Sequence, residues 1–472
     1  MNRPIRGVAV AAMIMFAALL VNVSYLYVGQ QGYLSERPEN RRVTDARFAQ
    51  DRGPIMVGNT PVAASKPVDD RYKFQRSYSN GKLYAPVTGF YSYLYRTSDL
   101  ESSRSAELSG QDDSQFLQRL INMAAGSTVP GGTVETTLDA KAQKAAWDAL
   151  DGRKGAVVAI DVKTGAVKAL VSYPSYDPND IATHDLDAST AAWKRLNADP
   201  DKPMANRATA EIYPPGSTFK LVTAAAALAE GMSPESKLDA SSFRLPGSTR
   251  VISGNCGGSE VSLTQALMVS CNPGFARLGA ELGDAKLRAQ AESFGFGSKF
   301  LTDLRTAAST FPDELDGAQT AMSAIGEFEV AASPLQMAMV AAAIANDGVV
   351  MEPYIVNRVL DRELKVTTQT SPQKHSVALS AENAKALQEM TVAVVERGTG
   401  GRAQVPGVTV GGKTGTAHSD NERRPYAWFT GWADDPNVAV CAFVEDAEIP
   451  ATDIAGGAVA APIVKAVIEA LR

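Results

Sequence analysis

Cysteine and histidine are scarce in this chain of 472 residues, which has three of each. The spacing of Cys256, Cys271 and Cys441 fits no metal site, and because their number is odd at least one thiol is unpaired. Three histidines are too few for a histidine-rich metal cluster, and they leave few candidates for a catalytic triad built on histidine. No metal site and no cofactor are expected.

Long basic runs and low-complexity tracts are absent as well. The formal net charge is -6 at pH 7, and no run of lysine and arginine is available to cover a nucleic-acid backbone. A nucleic-acid partner is therefore not expected. The length is sufficient for two or three domains and a large hydrophobic core.

Charged residues are missing from one long stretch near the N-terminus, residues 7–28. At the rise of an α-helix this stretch covers roughly 33 Å, enough to cross the core of a bilayer. No site of the small-x-small type follows it, which favours an uncleaved membrane anchor over a signal peptide. Arg3 and Arg6 precede the stretch and further arginines follow it, so charge alone leaves the orientation open.

Composition suggests three regions along the chain. Residues 1–28 contain the anchor. Residues 29–132 contain tyrosines clustered among glycine, serine and proline, which is typical of a small, mainly-β module, and residues 127–132 are typical of a linker. Residues 133–472 have sharper patterns and are expected to form the catalytic domain.

The third region has five strand-like runs with helical runs between and after them. The turn Lys163-Thr164-Gly165 joins the first two runs as a hairpin. The runs span residues 155–162, 166–173, 407–417, 427–433 and 438–444. Helices are predicted over residues 219–230 and 459–471. An α+β domain follows, with one antiparallel sheet that joins the early hairpin to the late strands.

Ser217 and Lys220 form the first candidate catalytic pair. Two prolines and a glycine precede them and an apolar helix follows, so the two side chains are expected on one face of the first helical turn. A serine needs a base to become a nucleophile, and a lysine is such a base only if burial and a nearby cation lower its pKa. The same Ser-x-x-Lys spacing at Ser79 and Ser371 is typical of surface turns.

Ser270 and Asn272 are the second candidate pair, and they follow a helical run at residues 263–269. Ser270 could pass a proton between a nucleophile and a leaving group. Asn272 could bind a substrate amide and Lys220. Cys271 is expected to point away from them into the core.

Lys413, Thr414, Gly415 and Thr416 lie in a β-rich run that suits the edge of a catalytic site. Lys413 and Thr414 can bind a substrate carboxylate, and Lys413 could be the cation that lowers the pKa of Lys220. Gly415 would let an extended substrate approach the backbone. The backbone N–H groups of Thr416 and Ser217 would form an oxyanion hole.

The three motifs, in this order, resemble those of class B penicillin-binding proteins, and the small N-terminal module is most similar to the actinobacterial PbpA type. The similarity covers nearly the whole chain. Further matching segments are a post-anchor motif, a pedestal segment, a helix that supports the site and the strand beside Lys413: residues 37–42 with 52–55, 99–101 with 107–110, 324–327 with 333–336, and 427–431. Glu327 stands where glutamine is usual in the family.

The resemblance implies a fold and a function. The fold would be a penicillin-binding, serine β-lactamase-like domain with a five-stranded antiparallel sheet, a small mainly-β pedestal module and one transmembrane helix. The function would be D,D-transpeptidation: Ser217 attacks a stem pentapeptide of peptidoglycan and β-lactams acylate the same serine. The N-terminus would then be cytoplasmic and the catalytic domain extracellular, with a glycan polymerase of the RodA/FtsW kind as partner.

Other functions remain open at this point. A β-lactamase, a penicillin sensor and a D,D-carboxypeptidase share the chemistry, although the anchor and the N-terminal module favour the transpeptidase. Residues 407–414 formally match the nucleotide-binding P-loop, but a P-loop needs a helix directly after Thr414, and the residues that follow do not favour one. Intact Ser217, Lys220 and Lys413 argue against a catalytically inactive scaffold.

Overall fold

A computed structural model gives the fold, and it describes residues 2–30, 33, 45, 47–111, 131–417, 425–446 and 456–472. The post-anchor motif at residues 37–42 and residues 127–130 of the predicted linker lie outside the described residues. Helix α1, Asn2–Ser24, continues as a π-helix over Tyr25–Gly29. The segment Ile5–Gly29 has a mean hydropathy of 2.2 and is long and apolar enough to cross a membrane.

The N-terminal module and the strand that follows it contain six strands and three short helices in the described residues, and the last strand, β6, lies at the start of the catalytic domain. In chain order they are β1 Ile55–Val57, β2 Thr60–Pro67, β3 Phe74–Tyr78, α2 Gly81–Thr88, β4 Tyr91–Ser92, β5 Arg96–Thr97, α3 Asp99–Ser103, α4 Ser105–Leu108 and β6 Thr133–Thr136. This is the mainly-β character that the sequence predicts.

The first half of the catalytic domain contains the hairpin and the helices that carry the first two motifs. Its elements are α5 Ala140–Leu150, β7 Lys154–Asp161, β8 Val167–Tyr173, α6 Asn179–Ala182, α7 Leu186–Ala198, a 3₁₀-helix Gly216–Phe219, α8 Lys220–Ala229, β9 Lys237–Asp239, β10 Phe243–Arg244, β11 Val251–Ile252, β12 Glu260–Ser262, α9 Leu263–Met268, α10 Asn272–Leu282 and α11 Asp284–Ser293.

The second half contains the long helices and the three late strands. Its elements are α12 Gly317–Ser323, α13 Pro334–Ala345, β13 Val349–Met351, β14 Val356–Leu360, β15 Val366–Gln369, β16 Lys374–Val377, α14 Ala381–Arg397, a 3₁₀-helix Gly401–Ala403, β17 Val410–Ala417, β18 Tyr426–Ala433, β19 Val438–Asp446, α15 Gly456–Val459 and α16 Ala461–Ala470.

The predicted catalytic sheet is confirmed: its five strands are antiparallel in the order β17-β18-β19-β7-β8. The hairpin turn between β7 and β8 is held by Asp161, whose carboxylate accepts hydrogen bonds from the backbone N–H groups of Lys163 and Thr164 at 3.1 and 2.9 Å. Because strands alternate sides, Val158 packs into the larger core cluster and Val157 into the cluster on the opposite face. Both faces of the sheet are therefore covered.

Helices on the two faces fix the sheet. Helix α13 packs against β7, β18 and β19 and is buried on all sides, as expected for a helix that is apolar all round. It begins at Ser333, whose hydroxyl accepts from the N–H of Gln336, with Pro334 in the first turn. Helices α5 and α16 pack on each other across the opposite face.

A second sheet has six strands in the order β15-β14-β6-β1-β2-β3. Strands β14 and β15 come from the C-terminal half of the chain, and the sequence analysis did not predict them. Strand β6 pairs with β14 on one side and with β1 of the N-terminal module on the other, which joins the module to the catalytic domain. Only β1 and β6 are parallel; the other neighbours are antiparallel.

A buried ionic cluster lies beside this sheet. Glu101 is fully buried, and the Nε atoms of Arg52 and Arg76 each donate to its carboxylate at 2.6 Å. The hydroxyl of Tyr78 donates to the same group at 3.1 Å. Burial raises the pKa of Glu101, but the charges of Arg76 and Arg52 outweigh this effect and the net pKa is lowered.

Candidate active site

Ser217 lies in the 3₁₀-helix Gly216–Phe219, directly before α8. The sequence predicts Ser217 in the first turn of the α-helix; the turn is instead 3₁₀, and α8 begins at Lys220. The hydrogen bonds of this turn run from residue i to residue i−3, as in a 3₁₀-helix: the N–H of Thr218 donates to the Pro215 carbonyl at 3.4 Å. The N–H of Lys220 bonds to the Ser217 carbonyl, which joins the two helices.

Lys220 is fully buried and its ammonium is held by the second motif. Its Nζ donates to the Ser270 carbonyl at 2.9 Å, to Ser270 Oγ at 3.3 Å and to Asn272 Oδ1 at 2.6 Å. The ring of Phe275 lies 5.6 Å from the same nitrogen. The expected contact between Lys220 and Asn272 is therefore present.

The second motif forms a tight loop between α9 and α10. Ser270 has a left-handed backbone, with φ of 61°, which is uncommon for a residue with a side chain. Cys271 is 1% exposed and lies in the core, as the sequence predicts. It forms a disulfide with Cys256, which the sequence left open, and Cys441 is the buried free thiol.

Lys413 lies in the middle of β17 and is also fully buried. Its Nζ donates to Ser270 Oγ at 2.9 Å, to the Thr414 carbonyl at 2.9 Å and to Thr414 Oγ1 at 3.3 Å. Ser270 Oγ thus accepts from both Lys413 and Lys220. The three predicted motifs are brought together through this one hydroxyl group.

The two lysines have low pKa values. Burial lowers the pKa of Lys220 well below its ordinary value, the charge of Lys413 lowers it further, and the carboxylate of Glu327 acts in the opposite direction. Burial lowers the pKa of Lys413 to about 7. Both groups can therefore give up a proton under far milder conditions than a lysine in water.

Gly415 allows β17 to approach the segment that carries the serine. A Cβ atom at this position would lie 2.8 Å from the Pro215 carbonyl oxygen and 2.9 Å from Thr218 Cγ2. The close approach of a substrate to Gly415 stays a prediction. Among the described residues, the serine segment already requires glycine at this position.

A cavity of about 650 Å³ opens beside these groups. Five of the residues that line it belong to the predicted set: Ser217, Ser270, Asn272, Thr414 and Thr416. The wall also contains residues that the sequence analysis did not assign to the site: Thr399, Gly401, Arg402, Gly456, Gly457 and Ala458. Thr399 Oγ1 lies 2.8 Å from Thr414 Oγ1.

Comparison with known proteins identifies the family. The chain matches the family model "Penicillin binding protein transpeptidase domain" over residues 155–469 and "Penicillin binding protein A dimerisation domain" over residues 52–134. It is 42% identical to the peptidoglycan D,D-transpeptidase PbpA of Mycolicibacterium smegmatis over 100% of this chain and 99% of that protein. The chain is a class B penicillin-binding protein of the PbpA type.

Solved structures agree with this assignment and confirm the predicted fold class. The structure of penicillin-binding protein A from Mycobacterium tuberculosis, as a ceftriaxone acyl-enzyme complex, matches 90% of this penicillin-binding protein and 99% of that chain, with 40% identity and a TM-score of 0.87. The D,D-transpeptidase domain of a peptidoglycan glycosyltransferase from Eggerthella lenta matches 89% of this chain and 99% of that chain, with 32% identity and a TM-score of 0.77.

The structure also bears on the nucleotide-binding alternative for this penicillin-binding protein. Residues Val410–Ala417 form one continuous strand, so Thr414 is followed by strand rather than by the helix that a P-loop requires. Lys413 is buried in the sheet and bonded to Ser270, which leaves no phosphate-binding loop at this position.

Proposed function

We propose that this chain is a peptidoglycan D,D-transpeptidase that works through an acyl-enzyme on Ser217. The observation that supports this most strongly is the single hydrogen-bonded network that joins Lys220, Ser270, Asn272 and Lys413 beside the cavity lined by Ser217. This arrangement provides a nucleophile, a base of lowered pKa and a proton carrier in one place.

Acylation would begin at Ser217. Its Oγ attacks the carbonyl carbon of the penultimate D-Ala of a stem pentapeptide, while Lys220, as the neutral amine, accepts the hydroxyl proton. The C–N bond to the terminal D-Ala then breaks, and Ser270 passes a proton to the leaving nitrogen. Ser270 suits this role because its hydroxyl lies between Lys220 and Lys413.

Strand β17 would hold the donor. Lys413 and Thr414 provide positive charge and a hydroxyl group for its terminal carboxylate, and the N–H groups of Ser217 and Thr416 would stabilise the oxyanion. Strand β17 is an edge strand of the sheet, so an extended peptide can align beside it. Gly415 lets the serine segment lie directly against β17, the strand that carries Thr416.

Deacylation would complete the cross-link. An amine of a neighbouring stem peptide attacks the Ser217 ester, the amide C–N bond forms and the ester C–O bond breaks. β-Lactams would acylate Ser217 as mimics of the donor, in line with the ceftriaxone, imipenem and penicillin G acyl-enzyme complexes of the M. tuberculosis relative.

Acylation by a fluorescent penicillin followed by peptide mass mapping tests this function. We expect a stable adduct on Ser217 in the full-length chain in detergent, and none in Ser217→Ala. A transient adduct with rapid drug hydrolysis would indicate a β-lactamase instead. Release of D-Ala without cross-linked product would indicate a carboxypeptidase, and absence of any adduct would exclude the serine mechanism.

The membrane arrangement forms part of the proposal. Residues 1–28 would contain the cytoplasmic tip and a single-pass anchor, residues 29–132 the pedestal module and residues 133–472 the extracellular transpeptidase domain. The apolar segment Ile5–Gly29 supports an anchor, and an extracellular substrate requires this orientation. A RodA/FtsW-type glycan polymerase would supply the strands. Protease accessibility in spheroplasts checks the orientation: the catalytic domain should be digested from outside.

A further inference from the structure

Thr399 and Thr414 form a pair of hydroxyl groups on the wall of the active-site cavity. Their Oγ1 atoms lie 2.8 Å apart, and both residues line the cavity. Thr414 is 7% exposed, whereas Thr399 is exposed at the cavity rim. Thr414 belongs to the motif that begins at Lys413, but Thr399 lies outside all three motifs. A hydroxyl group outside the motifs is therefore in contact with one inside them.

The backbone of Thr399 is fixed by two other segments of the site. Its N–H donates to the carbonyl of Met268 at 3.3 Å, and Met268 ends α9, just before the loop of Ser270. Gly398 permits this contact, because a Cβ atom there would lie 2.4 Å from the Met268 carbonyl oxygen. A Cβ atom at Gly457 of α15 would lie 2.3 Å from the Thr399 carbonyl oxygen. Thr399 is thus held between the second motif and α15 while its side chain reaches Thr414.

The hydroxyl group of Thr414 has a limited number of hydrogen bonds to give. A threonine hydroxyl has one proton to donate and two lone pairs that accept. The ammonium group of Lys413 donates to Thr414 Oγ1 at 3.3 Å, which occupies one lone pair. The second lone pair and the single proton remain for Thr399 and for a ligand in the cavity. The direction of the hydrogen bond between Thr399 and Thr414 therefore decides what Thr414 presents to that ligand.

Only one of the two directions suits an anion. If Thr414 donates to Thr399, the Thr414 proton is used and the remaining lone pair is left for the ligand. If Thr399 donates, both lone pairs of Thr414 are occupied and its proton is left for the ligand. An ionised carboxylate accepts hydrogen bonds and donates none, so it requires the second direction. In this direction the two donors to Thr414 Oγ1 also polarise its O–H bond, which strengthens it as a donor.

We propose that Thr399 is a positioning residue for the donor substrate. Its hydroxyl proton goes to Thr414 Oγ1, which commits the hydroxyl proton of Thr414 to the terminal carboxylate of the donor peptide. Thr399 acts through Thr414 and does not itself contact the carboxylate. This inference rests on the proposed transpeptidase function, in which Lys413 and Thr414 face that carboxylate. β-Lactams that carry a carboxylate should depend on Thr399 in the same way.

Acylation of the full-length chain in detergent by penicillin G tests the inference, with intact-protein mass spectrometry as the measurement. Thr399→Val replaces the hydroxyl by a methyl group at an exposed position. It should lower the second-order rate constant of acylation about fivefold, as expected for one neutral hydrogen bond. Thr399→Ser keeps the hydroxyl and should stay within about twofold of wild type. The methyl ester of penicillin G has no anionic carboxylate, and Thr399→Val should change its rate constant less than about twofold.

A double-mutant cycle separates an effect through Thr414 from a direct one. Thr414→Val removes the hydroxyl that Thr399 is proposed to orient. In that background Thr399→Val should slow acylation by penicillin G by less than about twofold further, because the two residues act as one unit. Thr368→Val removes an exposed hydroxyl on β15 in the other sheet and is the control, with an unchanged rate constant.

Three outcomes would overturn the assignment. Equal rate constants in wild type and Thr399→Val would remove the role of Thr399. Equal losses with penicillin G and its methyl ester would indicate a purely structural effect. A full further loss in the Thr414→Val background would mean that Thr399 contacts the ligand directly. Failure of the wild-type chain to form any acyl-enzyme would count against the proposed function itself, which keeps the two failures distinct.

Discussion

The side-chain nitrogen of Lys413 lies 2.9 Å from the Oγ atom of Ser270. The same Oγ atom is 3.3 Å from the nitrogen of Lys220, so one hydroxyl group connects two buried lysines. Two cations in such a place repel each other, and the structure favours the neutral amine of at least one of them. The acid–base behaviour of the site should therefore depend on both lysines together.

The pH dependence of acylation should report this coupling. Lys220 is a base only when neutral, so acylation should fall as the pH drops through its pKa. Lys413→Met removes the neighbouring charge that lowers the pKa of Lys220, so the acid limb of the profile should move to higher pH. Rates of labelling by a fluorescent penicillin across the pH range measure this shift.

Glu327→Gln is the matched control for that profile. The Glu327 carboxylate raises the pKa of Lys220, so its loss should move the acid limb to lower pH, opposite to Lys413→Met. Shifts in the same direction for both variants, or no shift in either, would contradict the coupling that we describe.

Gly415→Ala should impair acylation without unfolding the catalytic sheet. The new methyl group would meet the Pro215 carbonyl oxygen at 2.8 Å and Thr218 Cγ2 at 2.9 Å, so the serine segment must move away from β17. A displacement of this kind at a reacting centre costs about a hundredfold in rate. Gly258→Ala is the control, because its nearest new contact, at 3.4 Å, is ordinary. Equal labelling rates in both variants would contradict the prediction.

Loss of the Cys256–Cys271 disulfide should weaken both stability and acylation. The bond closes a segment with a sequence separation of 15 next to the left-handed Ser270, and closure of a loop of this size contributes about 3 kcal/mol. Cys256→Ser should lower the urea midpoint and slow penicillin labelling. Reductant should have the same effect on wild type and no effect on Cys256→Ser; a response of the variant to reductant would point to another thiol.

Glu101→Gln should destabilise the N-terminal module strongly. The change leaves Arg52 and Arg76 buried beside a neutral group, and such a loss costs about 3–5 kcal/mol. Lys144→Ala, which breaks the exposed Lys144–Asp148 pair on α5, should cost less than about 1 kcal/mol. Urea unfolding followed by tyrosine fluorescence compares the two.

Acidification should mimic Glu101→Gln in the wild-type chain. The pKa of Glu101 is lower in the folded state than its ordinary value of 4.5. The contribution of the Glu101 carboxylate to the free energy of unfolding is therefore fully present above pH 4.5. It is lost as the pH falls through the folded-state pKa. Stability of Glu101→Gln should accordingly depend less on pH below 4.5 than that of wild type.

Local patterns in the sequence were sufficient to predict the strands of the catalytic sheet and the positions of the three motifs. The hairpin at Lys163-Thr164-Gly165 and the strands β17, β18 and β19 are consecutive runs of β-forming residues with clear turns, so each can be recognised without its neighbours. The family resemblance implied a five-stranded antiparallel sheet, but the order of its strands comes from the structure alone. The assignment of Ser217 to an α-helical turn differed from the structure, where hydrogen bonds from residue i to residue i−3 close the turn.

Contacts between distant segments could not be predicted in this way. Thr399 lies in the turn after α14, Arg402 in the 3₁₀-helix Gly401–Ala403 and Gly456 in α15, and only the packing of these segments brings the three residues to one cavity wall. Strands β14 and β15 are short and partly exposed, with a polar pattern that is weak evidence for a strand. The partner of Cys271 was likewise open, because three cysteines permit three pairings.

The origin of β14 and β15 has a consequence for how the molecule is made. The ribosome synthesises β1, β2, β3 and β6 early. Strand β14, which pairs with β6 on the side away from β1, is synthesised only with residues 356–360, after most of the catalytic domain. A fragment that stops at residue 136 would expose the edge of β6 as a template for other chains. The sheet that begins with the N-terminal strands is thus completed only late in synthesis.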